Sequence, residues 1–207
     1  MPQTTFCPYC YKALLTTPKR KVSCPFCHLS IYVREGRLCT QDEARATDWL
    51  KKLAITREAF VAARDSFTKE TGHVPRATDV VWQLMNELVT GTVDHNQLKM
   101  SYFQMALFLK EEGKDFLATM QESIRAELAG WQTAAEKGFI DWRKTRLRVI
   151  TCGAASCNAC RKLKRATFTY AEALNQMPIP VKDCTHDITE GSHRGWCRCC
   201  YGLVFNA

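Results

Sequence analysis

All twelve cysteines of this 207-residue chain lie near its ends. Cys7, Cys10, Cys24, Cys27 and Cys39 precede Thr40, and Cys152, Cys157, Cys160, Cys184, Cys197, Cys199 and Cys200 follow Thr151. None lies between. Such a distribution predicts two metal-built modules on either side of a metal-free body. At the front, Cys7-Pro-Tyr-Cys10 and Cys24-Pro-Phe-Cys27 are two Cys-x-x-Cys turns joined by a loop from Tyr11 to Ser23. A turn of this kind points both sulfurs at one ion, and two turns complete a tetrahedral four-sulfur site, so Cys7, Cys10, Cys24 and Cys27 are expected to hold Zn2+. A redox dithiol would instead show a single such motif beside a βαβ pattern.

The spacing also argues against a secreted disulfide scaffold. The opening Met1-Pro-Gln-Thr-Thr-Phe6 has no basic start and no apolar run, as a secretory leader would. No apolar stretch reaches the ~18 residues of a membrane span. The chain is therefore expected in a reducing cytoplasm, where thiolates bind zinc and disulfides do not persist.

The expected fold is mainly α: a central helical domain (41–138) between an N-terminal β zinc ribbon (1–40) and a small C-terminal α+β, treble-clef-like zinc module (139–207). In the ribbon, Val22, Ile31 and Val33 favour strands, and so short a segment depends on its ion for stability. His28 follows a ligand but four cysteines already fill that site, and Cys39 reads as a small buried residue. Thr40-Gln-Asp-Glu43 is a capping box that opens the helical body. Further helices are expected from Thr56 to Gly72, from a cap at Thr78 or Asp79 to Gly91, from Asp94 to Gly113, and from about Lys114 to Lys137. After Gly138 the period changes, and Phe139–Ile150 alternates apolar with basic residues from Trp142 on, like a half-exposed strand. Thr169-Tyr-Ala-Glu172 is a second capping box, whose short helix ends before Pro178 and Pro180.

The rear cluster has more ligands than one ion needs. The cleanest set pairs Cys157 and Cys160 with Cys197 and Cys200, again two Cys-x-x-Cys units. Cys184, His186 and Cys199 remain. One of them replaces a member of that set, or Cys152, Cys184, His186 and Cys199 form a second site. Two zinc ions are expected in all, and three in the second case.

Charge is uneven. Residues 1–40 carry +5, residues 41–138 −3 and residues 139–207 +6, within a formal total of +8. Lys19, Arg20, Lys21 and Arg34 at the front, and Arg161, Lys162, Lys164 and Arg165 at the rear, are candidate phosphate contacts, with Tyr9, Tyr11, Phe26 and Tyr32 available to stack on bases. A nucleic acid is thus the first expected partner, and a protein docked on the modules the alternative. Basic residues that serve only solubility would give the same count. No small-molecule substrate, Gly-rich phosphate loop or Ser/His/Asp order is evident. The only catalytic candidate is Asp183-Cys184-Thr185-His186-Asp187, where a histidine beside a zinc knuckle could serve a metal-dependent nuclease. The other His and Asn ligands such a site needs are not in place, so the chain reads as a binding protein rather than an enzyme.

The tail pattern, Thr151-Cys152, Cys157-x-x-Cys160-Arg-Lys-Leu163, Met177-Pro-x-Pro180, a histidine and Cys197-Arg-Cys199, resembles the C-terminal segment of phage head-morphogenesis (minor head) proteins. The likeness covers about residues 139–201. It departs at the long insert between Pro180 and Cys197 and at the extra Cys184 and Cys200. The front segment is similar to zinc ribbons of uncharacterised bacterial proteins, as is the middle, with Thr71-Gly-His-Val-Pro75 and Asp79-Val-Val-Trp-Gln-Leu-Met-Asn86-Glu-Leu-Val89. The resemblance implies a bacterial or phage-derived origin and, as an alternative role, a structural part in phage assembly.

Overall fold

The computed structural model describes residues 5–185 and 196–205. The chain is mainly helical, with small antiparallel sheets in both end regions. It divides into two compact units, Met1–Glu87 and Leu88–Ala207, and the cysteine-free body contributes helices to each.

In the first unit, β1 (Thr5–Phe6) pairs with β2 (Ala13–Leu14), and β3 (Val22–Ser23), β4 (Ser30–Arg34) and β5 (Arg37–Cys39) form a second antiparallel sheet in that order. The tight turn joining β4 to β5 is Glu35-Gly36, both at positive φ (51° and 74°), the conformation whose twist suits a short hairpin. β5 was not apparent in the sequence, because so short a strand ending in a cysteine carries no alternation to read. The buried Cys39 thiol on β5 donates to the Tyr32 carbonyl at 3.5 Å.

Helix α1 (Gln41–Lys52) starts where expected. The Thr40 hydroxyl accepts from the Glu43 N–H, and the Glu43 carboxylate accepts from the Thr40 N–H. It buries Ala44, Ala46 and Trp49. Arg34 on β4 forms a two-pronged pair with Asp48 on α1, both contacts 2.7 Å, which ties the ribbon to the helix and holds the Asp48 carboxyl below the usual carboxylate range. α2 (Arg57–Thr71) has the expected Thr56 cap and left-handed Gly72 end, but it buries none of its residues fully.

Helix α3 (Ala77–Thr90) departs from expectation at its start. Neither Thr78 nor Asp79 caps it. Asp42 of α1 does so from a distance: its carboxylate accepts from the Ala77 N–H at 2.6 Å, from the Thr78 hydroxyl at 2.6 Å and from Arg76 at 3.2 Å. The buried residues of the helix are Ala77, Thr78, Val80, Val81, Leu84 and Met85, and Leu88 is exposed.

The second unit is built on a helical hairpin, α4 (His95–Glu111) and α5 (Leu117–Glu136). His95 meets Thr133, and Lys99 pairs with Glu127, so the helices run antiparallel. Gly130 permits this approach, since a Cβ there would stand 3.2 Å from His95 Cβ. Asp94 caps α4 as expected; Phe116 at the N-cap of α5 offers no side-chain bond, and the Asp115 carboxylate accepts from the Leu117 N–H at 2.9 Å.

A three-stranded antiparallel sheet, β7 (Thr167–Phe168), β6 (Thr145–Ile150) and β8 (Cys200–Phe205) in that spatial order, completes this unit with the short α6 (Asn158–Arg161) and α7 (Tyr170–Gln176). β6 is shorter than expected. Arg143 turns back onto Asp141 through side chain and backbone, so extension starts only at Thr145. Thr145, Leu147 and Val149 then point inward on alternate positions. Trp196 is buried in the core, edge-on to Phe103 and stacked on Phe116 with ring centres 5.2 and 5.3 Å away.

Asp42→Ala removes three hydrogen bonds to one helix start. It is expected to lower stability by about 2 kcal/mol, whereas Asp79→Ala should change it by only a few tenths. Urea unfolding of the metal-loaded protein measures both.

Candidate metal centres

The front centre is made by two knuckles of the same build. Each residue of the first has a counterpart at one constant offset along the chain: Cys7 and Cys24, Cys10 and Cys27, Tyr11 and His28. The strand pairs Phe6–Ala13 and Ser23–Ser30 obey the same offset. Cys7 N–H donates to Lys12 O, and Cys24 N–H to Leu29 O. Tyr11 and His28, at φ of 56° and 61°, donate back to the Cys7 and Cys24 carbonyls. The N–H groups of Tyr9 and Phe26 approach the Cys7 and Cys24 sulfurs, both at 3.4 Å. His28 is therefore a turn residue, and its imidazole lies outside the sulfur group.

The four sulfurs lie within 4.8 Å of one another, with Cys7–Cys27 and Cys10–Cys24 both at 3.8 Å. A tetrahedral ion with bonds of about 2.3 Å to sulfur separates its ligands by about 3.8 Å. A disulfide would need about 2.05 Å. The spacing matches coordination, and these residues could hold a metal ion. The electrostatics agree. Burial pushes the Cys24 thiol up, but the Cys27 and Phe26 N–H groups and the sulfurs of Cys7 and Cys27 outweigh it, leaving it at about 6. The Leu29 N–H draws Cys27 down, and burial with the Cys24, Cys10 and Cys7 sulfurs overrides this, pushing it to about 12. Sulfurs this close cannot all carry charge unless a cation sits among them.

The rear centre gathers five sulfurs. Cys157 caps α6, its sulfur accepting from the Cys160 N–H at 3.4 Å. Cys184 lies 3.9 Å from Cys157 and 3.6 Å from Cys160. Cys160 also groups with Cys197 and Cys199, so it belongs to both candidate metal-holding triads. All but Cys157 are buried. Burial pushes Cys157 up, but the N–H groups of Cys160 and Thr185 prevail and hold it at about 6. A hydrogen bond from the Cys199 thiol holds Cys197 at about 6 despite burial, while Cys199 and Cys160 are pushed up.

Cys200, expected as a ligand, is not among the grouped sulfurs; Cys184 and Cys199 are. Cys200 opens β8, paired with Ile150. Strand alternation sends adjacent side chains to opposite faces, so a strand that places Cys199 in the cluster turns Cys200 away. The signal was the run Tyr201-Gly-Leu-Val-Phe205, whose strand propensity makes the local motif Cys-x-Cys rather than Cys-x-x-Cys. Cys200 lines a cavity of about 500 Å³ with Lys99, Ser123 and Glu127, and the clustered Cys197 and Cys199 line it too. Cys152 also stands outside both triads. His186 lies outside the described residues, as does His193.

Lys19, Arg20 and Lys21 are exposed on the segment joining β2 to β3. Lys21 lies over the Tyr32 ring at 4.8 Å and Lys12 over Phe26 at 5.1 Å. Tyr11 and Phe26 are exposed, whereas the Tyr9 hydroxyl accepts from the Gln41 N–H at the start of α1. Arg161, Lys162, Lys164 and Arg165 are exposed directly after Cys160, although Arg161 also donates to the Ser156 carbonyl at 2.7 Å. Arg34 is committed to Asp48. Among the described residues, no helix is long and apolar enough to cross a membrane.

No protein-family model, curated protein or solved structure matches this chain.

Substitution separates the ligand assignments. Cys24→Ser and Cys184→Ser are each expected to cost one equivalent of bound metal per chain, and Cys200→Ser none, in elemental analysis of the purified proteins.

Proposed function

We propose that this is a zinc-containing nucleic-acid-binding protein that contacts phosphates through basic residues attached to its two thiolate sites. One observation carries the reading: at both ends the basic run is exposed and continuous with the sulfur cluster. Lys19, Arg20 and Lys21 bridge the two front knuckles, and Lys162, Lys164 and Arg165 follow Cys160. Exposed Tyr11 and Phe26 lie on the same front module and offer faces on which unpaired bases can stack. That combination favours single strands over duplex.

Zinc is the metal this reading requires. Four-sulfur tetrahedral sites take zinc or iron, and closed sites on small hairpins suit a structural ion without redox chemistry. Two ions per chain are expected: one on Cys7, Cys10, Cys24 and Cys27, and one on Cys157, Cys160, Cys184 and a sulfur from Cys197 or Cys199, the latter in a treble-clef-like module. A protein partner is the second reading. It is favoured by the fully exposed Leu15 beside a hollow lined by Leu14, Pro18, Val22, Pro25 and Ile31.

A salt titration tests the first reading. Affinity for single-stranded RNA or DNA should fall with salt, and replacing Lys19, Arg20 and Lys21 by alanine should reduce the log–log slope by about 2, at roughly 0.7 per phosphate contact. Absence of binding at low salt refutes it. A stoichiometric protein partner recovered from nuclease-treated lysate would favour the second.

A further inference from the structure

The first unit has a concavity of about 130 Å³ between the β4–β5 hairpin and helices α1 and α2. Four arginines line it: Arg34 and Arg37 from the hairpin, Arg57 and Arg64 from α2. Leu38 and Phe60 supply apolar wall. Arg57 and Arg64 stand two turns apart along one helix face, with Phe60 between them on that face.

The charges in this hollow do not balance. Arg34 is neutralised by Asp48. Arg37, Arg57 and Arg64 make no ion pair among the described residues. Two carboxylates also line the wall, Glu35 and Glu43. Glu43 already accepts from the Thr40 N–H and hydroxyl, at 2.9 and 3.1 Å. Arg37, Arg57 and Arg64 are set against Glu35 and Glu43, so the hollow keeps an excess of positive charge, and arginines from two separate elements repel one another there. Nor does apolar burial hold α2 firmly there, since none of its residues is fully buried. An anion in the hollow would offset the repulsion and link α2 to the hairpin.

Size and donor chemistry narrow the ligand. Sites for drug-sized molecules run to about 300–1,000 Å³. This hollow suits a single small oxyanion. Guanidinium forks match the paired oxygens of phosphate, and the apolar walls strengthen each contact. We propose that Arg37, Arg57 and Arg64 form a binding site for one phosphoryl group. The site deepens the nucleic-acid reading and rests on it only for the source of that group, which is either a backbone phosphate or a free phosphate compound.

Calorimetric titration of the zinc-loaded full chain with inorganic phosphate, with uridine monophosphate and with a short single-stranded oligonucleotide tests it. Wild type should bind inorganic phosphate, and Arg57→Gln/Arg64→Gln should weaken that binding by at least about tenfold. Arg37→Gln, on the other side of the hollow, should weaken it independently. Arg64→Lys keeps the charge and loses the fork, so it should bind several-fold more weakly than wild type. Lys69→Gln, at an exposed position of α2 that does not line the hollow, should leave phosphate binding unchanged. Circular dichroism and metal content confirm that each variant is folded. If the double variant also loses oligonucleotide affinity, the phosphoryl group is a backbone phosphate. If only inorganic phosphate and the mononucleotide bind, the anion site stands and the nucleic-acid reading fails. The proposal is overturned if wild type takes up no phosphate, or if folded Arg57→Gln/Arg64→Gln binds it as tightly as wild type.

Discussion

Mutual repulsion among buried sulfurs is the constraint on which this structure depends. Sulfurs as close as the front four, with Cys7–Cys27 and Cys10–Cys24 at 3.8 Å, can be charged together only around a cation. The first unit has little else at its front end. The buried cluster at the knuckles is Cys7, Cys24 and Ile31, with a few half-buried side chains around them. So small a cluster offsets only a fraction of the entropy of ordering the segment. Metal binding there would therefore be coupled to folding. The rear cluster differs. Its sulfurs are continuous with a large apolar core that includes Trp196, Leu147, Ile179 and Leu128. Metal loss should thus unfold the ribbon while leaving the α4–α5 hairpin largely packed.

Legibility in the sequence followed the range of the interaction. Features set by near neighbours along the chain were readable. Thr40 with Glu43, Thr56, Asp94, Gly72 and Thr169 with Glu172 all act where the local pattern places them. The two front knuckles belong to the same class, because the turn that aims each sulfur pair is closed by its own backbone. Features set at long range were not readable. The start of α3 is fixed by Asp42 on a different helix, far from Ala77 in the chain, and no local motif announces a borrowed cap. The choice of Cys199 over Cys200 depends on where β8 begins, and that depends on pairing with β6, on the far side of both Cys157 and Cys184 in the sequence.

The arginine hollow shows the same limit. Arg57 and Arg64 lie in the stretch whose formal charge is −3, so counting by segment hides them among acids. Folding sorts that stretch. Arg57 and Arg64 turn to the hollow while Glu58 and Asp65, the next residue in each case, are carried about 100° round the helix.

Metal also changes what the basic count means. A formal net charge of +8 treats every cysteine as neutral. A zinc ion on four thiolates carries −2, so two such sites would halve that figure to +4. Part of the lysine and arginine beside each cluster therefore offsets the thiolates rather than reaching for a partner, and this is the bland reading of the basic ends. It accounts least well for Arg37, Arg57 and Arg64. Those side chains line a hollow that is not a sulfur site, and repulsion at short range costs more than distant compensation returns. Screening at cellular salt acts over about 8 Å, which weakens the long-range pull of a thiolate cluster but not the repulsion inside one small hollow. Arg37, Arg57 and Arg64 make no ion pair among the described residues, and an anion that enters the hollow is the simplest physical account of them.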